Sequence, residues 1–154
     1  MSVTVLVAGL ARAGCAPEEP STNAALPTGW SLRVELDARH PDAEPVTTLL
    51  SQHGPELGNR EAIALHGDNG SLRRQLQSAG WSVVDFTAPT ADLPPQLRVI
   101  APDGTIAWTG HFNSADLATP GSRMLGHLVL TEVAQGRLPP PVVPMACAVP
   151  GTAN

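Results

Sequence analysis

Cysteine is scarce in this chain: Cys15 and Cys147 are the only two in 154 residues. Each stands near one end in a proline-rich stretch, so no Cys-x-x-Cys pair is encoded and no Cys/His spacing suits a zinc site. The two thiols can pair in an oxidising compartment, but sequence alone does not fix such a pairing. Basic residues are also few. Nine Lys+Arg against fourteen Asp+Glu leave a net charge of −5, which offers no electrostatic footprint for nucleic acid. No internal repeat is present, and no apolar run approaches the roughly 20 residues of a membrane-crossing helix. Phosphate loops, supported Ser-His-Asp arrangements and convincing carboxylate pairs are missing too, and no cofactor or metal is expected.

What is there suffices for a core. Hydrophobic residues make up 42% and charged residues 15%, and the length fits one domain with a tail. Eleven of the sixteen prolines cluster at 17–27, around 89–95 and at 139–150, which marks non-regular linkers. The chain therefore divides into a signal- or anchor-like segment with a proline-rich linker (1–29), a folded domain (30–136) and a proline-rich tail (137–154). The apolar run Val3–Ala8 followed by Ala13-Gly14-Cys15 resembles a bacterial lipoprotein signal, in which the Cys carries lipid. That implies export and a membrane contact made only through this anchor. The lack of Lys or Arg before the run, and Arg12 near the Cys, depart from that pattern. In the other reading Val3–Ala8 is a buried strand, which leaves a cytoplasmic location open.

From Trp30 onward the pattern is regular. Leu32, Val34 and Leu36 alternate with Arg33 and Glu35, as in a strand with one buried face. Asp42 is placed to cap a short helix carrying Val46, Leu49 and Leu50, and Gly54 to stop it. The run 62–65 predicts a strand covered on both faces. Ser71 can cap a helix that Gly80 ends, and Trp81–Phe86 predicts a short strand. Pro102-Asp103-Gly104 between two β-rich runs predicts a hairpin. A last helix is expected near Ser122–Gln135, then an extended tail. Trp81 and Trp108 are expected in the core. Alternating β and α elements closed by a hairpin define an α/β fold with a mixed sheet.

With Pro94-Pro95 ahead of the run Leu97–Ile100, and Trp108-Thr109-Gly110 ending the next strand, residues 30–136 resemble the thioredoxin-like fold. The nearest resemblance is to the TlpA-like, redoxin-type thiol–disulfide proteins. It implies a cis proline at Pro95 beside the redox loop. It also implies that the loop after the first strand, Asp37 to Pro45, lies alongside that proline. The chain departs from the family inside this loop. His40 stands where the attacking Cys belongs and Ala43 where the resolving Cys belongs, and imidazole forms no mixed disulfide. Arg33 and Glu35 also depart from the family's apolar first strand, which suggests a position nearer the sheet edge. In an alternative register Val3–Ala8 is the central strand and Cys15 the nucleophile.

His40 at the positive end of the first helix favours a neutral imidazole or a nearby anion; the plainer reading is an exposed loop histidine. Asp37 and Asp42 can orient it, with Asp42 more simply a cap. Pro41, Pro94 and Pro95 border the groove that the resemblance implies, where a protein partner or a thiol substrate would bind. Cys147 reaches the site only if the tail folds back. His53, His66, His111 and His127 show no metal spacing. The leading expectation is a thioredoxin-fold binding or accessory module of the cell envelope without dithiol chemistry. The alternatives are an active single-cysteine or Cys15/Cys147 oxidoreductase and a structural lipoprotein.

Overall fold

A computed structural model of the chain describes residues 26–67, 70–86, 93–119 and 121–146. Val3–Ala8, Cys15 and Cys147, and the roles expected of them, lie outside these residues.

The alternating segment Ser31–Asp37 forms β1, followed by helix α1 (Ala43–His53), a 3-10 turn (Gly58–Arg60) and β2 (Glu61–His66). Helix α2 (Ser71–Ser78) leads to β3 (Val83–Asp85). The hairpin strands are β4 (Gln96–Ile100) and β5 (Ile106–His111). A short α3 (Ser114–Leu117), β6 (Arg123–Met124), α4 (Gly126–Ala134) and β7 (Met145–Ala146) complete the order. The main sheet is five-stranded and mixed, in the order β3-β2-β1-β4-β5. β1, β2 and β3 run parallel, and β4 and β5 are antiparallel to their neighbours.

Local chemistry accounts for most of these boundaries. Gly54, at a φ of 66°, ends α1 and returns its N–H to the Leu50 carbonyl, a conformation that a side chain would resist. In the hairpin Gly104 N–H donates to the Ala101 carbonyl and Ala101 N–H to the Thr105 carbonyl, while Asp103 accepts from both the Thr105 N–H and hydroxyl. Two caps differ from expectation. Asp42 makes no side-chain cap bond on α1, and Gly70 rather than Ser71 precedes α2.

Two parallel crossovers progress in one direction, β1 to β2 to β3. Right-handed connections then put α1 and α2 on the same face of the sheet, where they pack on one another. α4 packs over β1 and β4 on that same face, since a Cβ on Gly126 would meet the Leu32 side chain. The core follows from this layering. Leu32, Val34 and Leu36 of β1, Ile63 and Leu65 of β2, and Leu97, Val99 and Trp108 of the hairpin all point to the helices. Trp81 closes one side and donates its indole N–H to the Leu50 carbonyl at 2.8 Å. Both tryptophans are buried as expected.

The reverse face carries Arg33, Glu35, Gln96, Arg98 and Thr109. Here the expectation of an edge strand is corrected, because β1 is central. Its Glu35 is tolerated there because Arg98 on β4 donates to it at 2.7 Å and Gln96 binds the same guanidinium at 2.9 Å. A charged residue in a central strand is stable when its partner sits across the ladder.

The last helix also differs. It starts at Gly126, because Arg123 and Met124 are diverted into β6, which pairs antiparallel with β7. The proline-rich stretch is extended, as its composition requires, and it packs back on the domain. His111 N–H donates to Pro141 O and Val143 N–H to His111 O, at 3.1 and 2.9 Å. One step further back the same ladder would need an N–H from Pro141, which has none, so the tail adds a single bridge to β5. Trp108 takes the next carbonyl instead, its indole N–H donating to Pro139 O at 3.0 Å, and Val143 is buried. Among the described residues no helix is long and apolar enough to cross a membrane.

Candidate functional site

In open α/β sheets, ligands bind outside the carboxyl ends of the parallel strands. Here that end gathers the end of β1, the start of α1, the end of β2 and the segment entering β4. Because β4 is antiparallel to β1, with Glu35 opposite Gln96, the prolines before β4 must arrive beside the residues after Glu35. The contact is direct: Leu93 N–H reaches Asp37 Oδ2 at 3.4 Å. The loop carrying His40 and the Pro94-Pro95 segment therefore occupy the same end of the sheet.

Asp37 organises this end. It is fully buried, and Arg39 closes a fork on it, Nε to Oδ1 at 2.9 Å and Nη2 to Oδ2 at 2.8 Å, with the Arg39 N–H adding a third bond. The Arg39 side-chain hydrogen bond is the main cause that holds the Asp37 carboxyl well below the usual carboxylate range, against the opposing effect of burial. Across the ladder Asp37 lies beside His66, whose carbonyl accepts the Ala38 N–H at 2.7 Å. The His66 ring meets Phe86 edge-on and shares a 2.7 Å hydrogen bond between Nδ1 and the Phe86 carbonyl.

His40 is half-buried and tied into its own turn. Its N–H donates to the Asp37 carbonyl, its carbonyl accepts the Ala43 N–H, and Nδ1 accepts the Asp42 N–H at 3.0 Å. An Nδ1 that accepts a hydrogen bond carries no proton, so the neutral ring bears its hydrogen on Nε2. Asp42 sits within 3.5 Å of the Ser114 hydroxyl, which brings α3 against the start of α1. Pro41 and Pro94 are exposed and Pro95 is buried.

One expectation is overturned. No peptide bond among the described residues is cis, so the bond preceding Pro95 is trans. The trans form is the ground state of X-Pro bonds by about 0.5–1 kcal/mol, and the antiparallel pairing of β4 forms without a bend there.

The structure thus brings together Asp37, His40, Pro41, Pro94 and Pro95. Cys15 and Cys147 lie outside the described residues, and the last described residue before Cys147, Ala146, is paired with Arg123 in β6. Sequence reasoning missed Arg39, whose pairing with Asp37 two residues away is a local signal that an Asp-x-Arg reading would have found. It also missed His66, placed beside Asp37 only by the parallel ladder. The assembled groups donate and accept hydrogen bonds, and none of them is a nucleophile able to form a mixed disulfide. Among the described residues no cluster of three or more His, Cys, Asp or Glu could hold a metal ion. No family model, no curated protein and no solved structure matches this chain.

Proposed function

We propose that residues 30–136 form a thioredoxin-like domain, related to the thiol–disulfide proteins of the cell envelope, that has lost dithiol chemistry and serves as a binding or accessory module. The observation that carries this reading is the juxtaposition of the 37–43 loop with the Pro94-Pro95 segment, bonded through Asp37 and Leu93, at a loop whose nucleophile position holds His40. The sheet order and the β4–β5 hairpin support it. The partner is a protein segment in extended form, received along the 37–43 loop and the proline segment.

Titrating the 15N-labelled protein with reduced insulin B chain, an extended thiol-bearing polypeptide, tests this. Saturable shifts confined to Asp37–Ala43, His66 and Leu93–Gln96 are expected. Shifts confined to another surface, or none up to millimolar peptide, would remove the site from the reading.

A further inference from the structure

The opposite end of the sheet holds two glutamates that the candidate site does not use, Glu61 buried and Glu56 half-buried. Glu61 is the first residue of β2 and pairs with Leu32, the second residue of β1. It is only 4% exposed. The Leu57 N–H donates to its Oε1 at 2.5 Å, and the Glu56 N–H also donates to this carboxyl. Glu56 in turn accepts the N–H of Gly126, the first residue of α4. One oxygen of each carboxyl, Glu56 Oε1 and Glu61 Oε2, is buried and meets no donor.

Two bare carboxylates in this position would be costly, because buried charges need opposite charges or donors. No cation answers them: among the described residues neither glutamate forms an ion pair. Arg60, in the same segment, keeps one buried guanidinium nitrogen unpartnered. Arg33 of β1 and Arg98 of β4 belong to the reverse face, where both approach Glu35. His127 of α4 is pushed toward its neutral form by burial and by Arg123 of β6. The Glu56 N–H on the Glu61 carboxyl keeps the two residues together, and a single proton would turn one carboxyl into a donor toward the other.

We propose that Glu56 and Glu61 hold one proton between them and form a pH-released latch that fastens the 55–60 segment and the start of α4 to β2. Burial, first, and the proximity of Glu61 push the Glu56 carboxyl up to about 7, and burial pushes Glu61 to about 7 as well. The pair titrates as a unit. The pair keeps its proton in the fold at pH values where the unfolded chain, with both carboxyls near 4.5, has lost it. The stability that the latch supplies therefore declines as pH rises from about 4.5 to about 7 and is gone above that range.

Urea unfolding across pH 5 to 8, paired with carbonyl-detected 13C titration of the glutamate side chains, tests the latch. The wild-type midpoint should fall over this range, with the shared proton of the pair leaving above pH 6. In Glu61→Gln, the amide donates permanently to Glu56. The urea midpoint should lose much of its pH dependence and the Glu56 titration should fall below its wild-type value. Glu56→Gln tests the same bond from the other side if the first variant does not fold. Wild-type carboxyls that both titrate below pH 5, or a Glu61→Gln protein that keeps the wild-type pH slope, would overturn the proposal. So would a rise of the urea midpoint at pH 8 on adding calcium and its reversal by EDTA, because the pair would then hold a cation rather than a proton.

Discussion

Asp37→Ala is expected to cost about 2–3 kcal/mol of folding free energy, a loss of roughly 8–15 °C in melting temperature for a domain of this size. Removing one partner of a buried pair costs about 3–5 kcal/mol when the survivor stays buried. Arg39 is 43% exposed in its side chain, so it can turn into water, and the lower figure applies. The remainder comes from the lost tie between the 38–40 turn and the segment entering β4. The effect has a pH signature. The folded carboxyl of Asp37 titrates below its unfolded value of 3.8. The ion pair therefore stabilises fully above about pH 4, and that contribution fades as acid drives the carboxyl toward its depressed folded value. Thermal unfolding between pH 3 and 7 measures this: the wild type should lose stability on the acid side, and the variant should start lower and lose less. With the glutamate latch weakening as pH rises past about 4.5, wild-type stability should peak at about pH 4.

The second large effect is expected at Gly110. Residues i and i+2 of a strand share a face, and the Trp108 indole lies across Gly110. A Cβ there would come within 2.2, 2.7 and 2.9 Å of three indole carbons, inside van der Waals contact. Trp108 cannot yield cheaply, because it is 6% exposed and its N–H is spent on Pro139. Gly110→Ala must therefore displace the ring, at about 1–3 kcal/mol for overpacking, and break the indole bond at about 1 kcal/mol more. Since that bond holds the returning tail, the variant should also free it. Trypsin cutting after the exposed Arg137 should release the tail several-fold faster in the variant, with a lower urea midpoint. Unchanged cleavage would mean that the tail is held by the His111–Val142 bridge and β7 alone.

Those elements whose cause is local could be read from the sequence. The Pro102-Asp103-Gly104 turn, the stop at Gly54 and the burial of Trp81 and Trp108 follow from turn chemistry and side-chain volume within a few residues. What escaped depends on partners far along the chain. Glu35 suggested an edge strand because its partner, Arg98, is 63 residues away. Glu61 fell just outside the apolar run 62–65, and only the fold covers its carboxyl. β6 and β7 are two-residue strands that exist because the tail returns to meet Arg123 and Met124; no periodicity can show in so short a run. At the candidate site, His40 and the proline segment were legible as motifs. Arg39 was not singled out, although the bond it makes is the strongest there.

The proposal on which the functional reading depends is that the protein has lost dithiol chemistry. Turbidimetric reduction of insulin by dithiothreitol measures it directly. The wild-type protein is predicted to leave the uncatalysed rate unchanged. Acceleration that is abolished in Cys15→Ser or Cys147→Ser would contradict that loss, because a thiol from outside the 37–43 loop would then supply the working nucleophile.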